Sequence, residues 1–261
     1  MFSFSGKVVV ITGGAGGIGQ ALSQQLIKQG ARIVALDLNV DALTPSDSLL
    51  PLATDITNGD QLARALEQTI TRFGCIDVLF NNAGITHMSR FVDTDENLFN
   101  KIMAVNFNAA VNMTRLCLPH IIKNQGRIVA ISSVAGFAPL YGRSAYSASK
   151  HALEGFFGSL ASELKEASVG ITIVSPSFVR SRPDLRAQVN GGVSSPGALK
   201  KNTSGKQVSP QDAAAQILKA VVTGQSNLFL GRVAKIARWL VALAPALYMN
   251  IMTRSAKQEF E

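Results

Sequence analysis

Eight residues near the start of the chain, Thr12-Gly13-Gly14-Ala15-Gly16-Gly17-Ile18-Gly19, narrow the folding options more than any other feature. They follow an apolar, β-branched run (Lys7–Thr12) and open a helical pattern (Ile18–Gln29). In that context glycines allow a tight strand-to-helix turn. They also let the backbone approach a pyrophosphate, whose charge is favoured by the free N–H groups and dipole of a helix start. Gly13, Gly17, Ile18 and Gly19 are therefore candidate dinucleotide contacts.

The rest of the chain agrees. Further short apolar runs, Arg32–Leu36, Asp77–Phe80, Arg127–Ile131 and Ile171–Ser175, read as strands buried on both faces. Helical patterns lie between them at Gln61–Arg72, Glu96–His120 and Ser149–Ala167. This alternation predicts an α/β fold: one doubly wound parallel sheet with helices on both faces. The 261 residues then form a single domain, 1–261, with no internal repeat or interdomain linker. Residues 181–209, rich in Gly, Ser, Pro and Lys, read as a substrate loop.

Asp37 ends the second strand 18 residues beyond Gly19, where a carboxylate can accept hydrogen bonds from both ribose hydroxyls of an adenosine. It would repel a 2′-phosphate. No Arg or Lys occupies Gly14, Ala15, Gly16 or Leu38, so the expected cofactor is NAD, with NADP the less favoured alternative. Asp55-Ile56-Thr57 suits either a loop meeting the adenine edge or a helix-capping turn. Asn82, Ala83 and Gly84, in Asn81-Asn82-Ala83-Gly84 at the end of the third apolar strand, would let the backbone pass beside the ribose.

Tyr146 and Lys150 stand four residues apart at the start of a helical pattern and share one face. A free phenol has a pKa of about 10, and bringing it near 7 takes roughly 4 kcal/mol, which a neighbouring ammonium in a low-dielectric cleft can supply. Ser133 follows the strand Arg127–Ile131, at the carboxyl edge where such sheets bind ligands, and its hydroxyl can hold a substrate oxygen beside the phenol.

These ordered motifs resemble those of the short-chain dehydrogenase/reductase family: Thr-Gly-x3-Gly-x-Gly, Asn-Asn-Ala-Gly, a Ser, and Tyr-x-x-x-Lys. The match runs from about Lys7 to Ser181. The resemblance implies a Rossmann fold and hydride transfer between a nicotinamide cofactor and a secondary alcohol or ketone. It implies that Tyr146 is the general acid in reduction and the general base in oxidation, and that Ser133 stabilises the reacting oxygen. Lys150 would bind the nicotinamide ribose and lower the Tyr146 pKa. Asn106 matches a fourth member, an Asn that anchors a relay water near the lysine. One departure occurs where the family has Pro-Gly-x-Val-x-Thr. Here Pro176-Ser177-Phe178-Val179-Arg180-Ser181 puts Ser177 in place of Gly and Ser181 in place of Thr, and Pro176 and Ser181 are the expected nicotinamide contacts.

The formal charge of +8 lies entirely in the last third: residues 1–179 carry 13 basic and 13 acidic side chains, residues 180–261 carry 12 and 4. No nucleic-acid motif accompanies this excess, and nucleic acid is not an expected partner. Residues 231–255 form a basic amphipathic segment with an apolar stripe through Val233, Ile236, Ala237, Leu240, Ala244, Leu247 and Ile251, which Pro245 should bend or split. Its uninterrupted apolar run is too short to span a bilayer. Packing over the cleft or against another subunit is favoured over a membrane surface. Cys75 and Cys117 read as small buried hydrophobes, and the scattered His87, His120 and His151 predict no metal site. His87, Phe137, Tyr141 and Phe178 are candidate pocket residues. No export signal precedes the first strand, so a cytoplasmic enzyme is expected, and the resemblance implies a homodimer or homotetramer. The rival readings are an NAD-binding sensor or scaffold without turnover, and a membrane-surface reductase of lipid-derived carbonyls.

Overall fold

The computed structural model describes residues 1–179 and 207–260. Seven strands form one sheet: β1 (Val8–Thr12), β2 (Arg32–Asp37), β3 (Leu49–Ala53), β4 (Val78–Asn81), β5 (Arg127–Ile131), β6 (Gly170–Pro176) and β7 (Asn227–Leu230). They lie in the order β3-β2-β1-β4-β5-β6-β7, and every neighbouring pair is parallel. The helices are α1 (Gly17–Lys28), α2 (Gly59–Phe73), α3 (Glu96–Met103), α4 (Ala109–Lys123), α5 (Ser144–Glu163), α6 (Pro210–Val222), α7 (Arg232–Leu243) and α8 (Pro245–Phe260). This is the expected α/β Rossmann-type domain.

Alternating side chains of the same strands feed two cores. Val8 and Val10 of β1 face a cluster built with Leu62 of α2, Met113 and Cys117 of α4, and Phe157 of α5. Val9 and Ile11 face the opposite cluster, built with Leu22 and Leu26 of α1 and Ile217 of α6. Both faces of β1 are thus dry, which is why its sequence is continuously apolar. Each fully buried Leu or Ile contributes about 2 kcal/mol by area.

Two strands escape the sequence reading, and both are edges. β3 contains Pro51, which demotes a run to an edge strand, and β7 has only four residues. The expected single pattern Glu96–His120 is interrupted by a π-helical segment, Ala104–Asn108, between α3 and α4. The amphipathic tail splits as expected at Pro245, which starts α8.

The inward stripe of that tail differs from the expected one. Ala234, Ala237, Leu240 and Val241 of α7, with Tyr248 and Met252 of α8, pack on Val134 and Ala138. Val233, Ile236, Leu247 and Ile251 of the expected apolar stripe are exposed. Small residues let the helix approach the body closely, so the large ones are left outside.

Candidate active site

The order of strands reverses beside β1, whose neighbours β2 and β4 lead away in opposite directions. The carboxyl ends of β1 and β4 therefore meet at a crevice of the kind in which such sheets bind ligands. The glycine turn ends β1 there. Gly13 has φ +65°, in the left-handed region, and a Cβ on it would stand 2.9 Å from Ala83 Cα. A Cβ on Gly14 would lie 2.6 Å from that of Ala35. On Gly19 it would strike the Gly13 carbonyl oxygen. Gly16 caps α1 without a side chain, and no acidic residue sits in the first helical turn, which opens at Gly17 and Ile18. The positive helix end is left for an anion.

Thr12 binds this turn to the next strand. Its hydroxyl accepts from the N–H groups of Asn82 (3.0 Å) and Ala83 (3.1 Å), and Asn82 Nδ2 donates to the carbonyls of Thr12 and Gly13. Asp37, at the end of β2, accepts from Ala15 N–H at 3.0 Å and Leu38 N–H at 2.8 Å, which holds its carboxylate at the rim of the turn. Asp55 is engaged in a local turn, accepting from the N–H and hydroxyl of Thr57, while Asn58 caps α2. Ile56 lines a small cavity with Thr12, Ala83, Asn106 and Lys150. A glycine cradle, a free helix start and a carboxylate at the end of β2 together fit a dinucleotide.

Ser133 ends the β5 loop, where its Oγ accepts from Ala135 N–H at 3.2 Å. Tyr146 lies in the first turn of α5, which starts five residues earlier than its periodic pattern, and the Ser133 hydroxyl stands near enough to the phenol to lower its pKa. Lys150, only 3% exposed, donates from Nζ to the Ile131 carbonyl at 2.7 Å and stands 6.0 Å from the Tyr146 ring centroid. A Cβ on Gly84 would be 3.4 Å from both Lys150 Nζ and Asn106 Oδ1, so the cofactor turn and the Tyr–Lys helix adjoin.

Asn106 sits in the π-helical segment, an irregularity often found at functional sites. Its Oδ1 accepts from Ile85 N–H at 2.8 Å, and its Nδ2 donates to the Ile85 carbonyl and Ser149 Oγ, both at 2.9 Å. Ser149 in turn donates to the Tyr146 carbonyl. Asn106 thus ties the loop after Gly84 to the first turn of α5.

Lys150 was expected to lower the Tyr146 pKa, but it is not among the groups that do so. Burial raises the Tyr146 phenol above its ordinary value, opposed by the Ser133 hydroxyl and the positive charge of Arg143. Burial brings Lys150 down to about 8, opposed by Glu154. The ammonium is aimed at the Ile131 carbonyl rather than at the phenol.

Sequence reasoning missed Glu154. It lies one helical turn beyond Lys150, and its Oε1 accepts from Ser132 Oγ (2.7 Å) and Ser175 Oγ (2.9 Å). These serines precede Ser133 and Pro176, so one carboxylate joins α5 to the ends of β5 and β6. Its i, i+4 relation to Lys150 was the available signal. Glu154→Ala would leave two hydroxyls without an acceptor. Denaturant unfolding should show a loss of about 2–4 kcal/mol.

Pro176 closes β6. The neighbouring Ser177, where the family has Gly, donates from its hydroxyl to the Leu230 carbonyl at 3.1 Å and so bonds the path to β7. Ser181 and all but the end of the loop 181–209 lie outside the described residues. His87 is buried, and neither ring nitrogen has a hydrogen-bond partner among the described residues. Phe137 packs against Phe229 beneath α7, while Tyr141 and Phe178 are partly exposed.

Comparison with known proteins places this geometry. The family model of the short chain dehydrogenases matches residues 7–190. The Anopheles gambiae protein named dehydrogenase/reductase SDR family protein 7-like is 34% identical over 97% of this chain and 84% of its own length. The Mus musculus dehydrogenase/reductase SDR family member 7B is also 34% identical, over 97% and 82%. Among solved structures, a Burkholderia cenocepacia short chain dehydrogenase in complex with NADP superimposes with a TM-score of 0.82 at 23% identity, covering 96% of this chain and 99% of that one. A Burkholderia phymatum short chain dehydrogenase/reductase in complex with NAD gives 0.79 at 24% identity, covering 91% and 93%. The chain belongs to the short-chain dehydrogenase/reductase family, oxidoreductases built on an NAD(P)-binding fold.

Proposed function

We propose that this protein interconverts a secondary alcohol and a ketone with NAD(H), and that Tyr146 exchanges the proton with the reacting oxygen. The observation that carries the reading is the adjacency of Gly84 to Lys150 and Asn106, which brings the cofactor turn to the Tyr146 helix. The bound nicotinamide supplies or accepts the hydride. The glycine turn with Gly13, Gly17, Ile18 and Gly19 would hold the pyrophosphate, Asp37 with Asn82 to Gly84 the adenosine ribose, and Lys150 the nicotinamide ribose.

In reduction the phenol of Tyr146 donates its proton to the carbonyl oxygen, and Ser133 Oγ hydrogen-bonds the same oxygen. In oxidation the Tyr146 phenolate takes the proton from the alcohol oxygen, while Ser133 Oγ keeps its hydrogen bond to that oxygen. Lys150 keeps a positive charge beside the phenol, and Asn106 orients the turn that carries it. His87, Tyr141 and Phe178 form part of a largely apolar substrate wall.

The pH dependence follows from the direction of the Tyr146 shift. A phenol raised above its ordinary value is protonated at neutral pH, so the acid needed for reduction is the resting form. Oxidation needs the phenolate and gains as pH rises. Profiles of kcat/KM should therefore climb toward alkaline pH for the alcohol and fall for the ketone. A flat alcohol profile between pH 6 and about 10 would remove Tyr146 from the proton step.

The preference for NAD is supported by Asp37, whose carboxylate is fixed by two backbone N–H groups. Asp37→Ala should narrow the ratio of NADH to NADPH affinity by roughly tenfold or more, as loss of one charged contact implies. Tighter NADPH than NADH binding by the unaltered protein contradicts this choice.

A further inference from the structure

Helices α7 and α8 present two unlike faces. The inner one grips the turn directly after Ser133, through Ala234, Ala237 and Tyr248 against Val134 and Ala138. Tyr248 also donates its hydroxyl to the Pro139 carbonyl at 3.0 Å. The outer one carries the large apolar side chains: Ile236 is 64% exposed, Trp239 69%, Leu243 76% and Leu247 52%. Met249 and Ile251 of α8 are exposed as well. On α7, Val233, Ile236, Trp239 and Leu243 fall within about a third of the helical circumference at 100° per residue. Arg232 falls inside that arc and Lys235 beside it, both exposed. Arg238 points elsewhere, stacking over Phe137 and Phe229 at 5.7 and 5.9 Å.

We infer that this outer face docks on an anionic membrane surface, lying in the interface rather than crossing it. Two observations select that partner. No helix among the described residues is long and apolar enough to span a bilayer. The stretch from Ala213 to Gln258 contains no acidic residue, so a second copy of the same face would set Arg232 and Lys235 against their own kind without counter-charges. Anionic headgroups supply those counter-charges, while the apolar row and its tryptophan enter the headgroup boundary. Because the inner face holds the segment following Ser133, docking would set one side of the candidate active site at the bilayer.

Trp239 is the single tryptophan of the chain and lies within the proposed surface, so its emission reports contact directly. The full chain would be mixed with vesicles of phosphatidylcholine alone or with phosphatidylglycerol, at low and high salt. With anionic vesicles at low salt the protein should float with the lipid and the emission should shift blue. Neutral vesicles and high salt should suppress both. Arg232→Glu with Lys235→Glu should weaken partitioning roughly a hundredfold, and Leu243→Ser with Leu247→Ser should weaken it without lowering thermal stability. Unshifted emission and no flotation on anionic vesicles would overturn the inference. So would emission that is blue without lipid, whether accompanied by concentration-dependent sedimentation, which assigns the face to a second copy, or not, which assigns it to the chain's own segments.

Discussion

Tyr146→Phe is expected to keep NADH affinity within about twofold while turnover falls by roughly three orders of magnitude, the middle of the range for a positioned general acid. The substitution removes one oxygen and leaves the ring. The centroid of the half-buried ring stays 6.0 Å from Lys150 Nζ, and the Lys150 ammonium keeps its bond to the Ile131 carbonyl. What disappears is the hydroxyl whose pKa Ser133 lowers, and to which the proposed mechanism assigns the proton. Titration of NADH fluorescence measures binding, and single-turnover oxidation of NADH by a ketone measures chemistry. Full activity in this variant, with binding intact, contradicts the assigned role. Joint loss of affinity and activity would place Tyr146 in cofactor binding alone.

The second large effect is expected at Gly19. A methyl group there meets the Gly13 carbonyl oxygen and lies 2.8 Å from Gly14 Cα. Neither neighbour is a flexible side chain, so α1 must move away from the turn that it caps. Gly19→Ala should weaken NAD(H) binding by roughly a hundredfold and cost about 1–3 kcal/mol in unfolding. Gly155, inside α5, has nothing within 4 Å of the corresponding position. There the same substitution should stabilise by about 0.5–1 kcal/mol, because only the helical preference of alanine is gained. Isothermal titration with NADH and denaturant unfolding of both variants separate close packing at the turn from a general intolerance of alanine.

The parts of the fold legible in the sequence are those whose chemistry is repeated in a local pattern. Strands β1, β2, β4, β5 and β6 are buried on both sides, so their apolar runs stand out. The edges β3 and β7 need to satisfy only one neighbour, and Pro51 is tolerated in β3 for that reason. The glycine turn and Asp37 were readable because their spacing is local, and the structure sets them in contact.

Asn106 is different. Its residue type and place in the family order mark it, but the π-helical segment that aims it at Ile85 and Ser149 leaves no periodic trace. Glu154 was visible only as a charge on a helix face. Its two serine partners come from β5 and β6, distant in sequence. The tail failed for a further reason: α7 is apolar on two stripes, and periodicity cannot tell which one packs. The close fit of Ala234 and Ala237 decides it.

The central claim is that a hydride passes between the nicotinamide and a carbonyl carbon while the proton comes from the Tyr146 hydroxyl. NADH carrying deuterium at the transferable C4 position, offered with a panel of steroid, aliphatic, sugar and acyl ketones in ordinary water, tests it most directly. The account predicts at least one ketone whose product alcohol carries deuterium on the carbinol carbon and none on the oxygen, with Tyr146→Phe abolishing its formation at unchanged NADH affinity. Product formation with the deuterium missing from carbon, or undiminished in the phenylalanine variant, would contradict it.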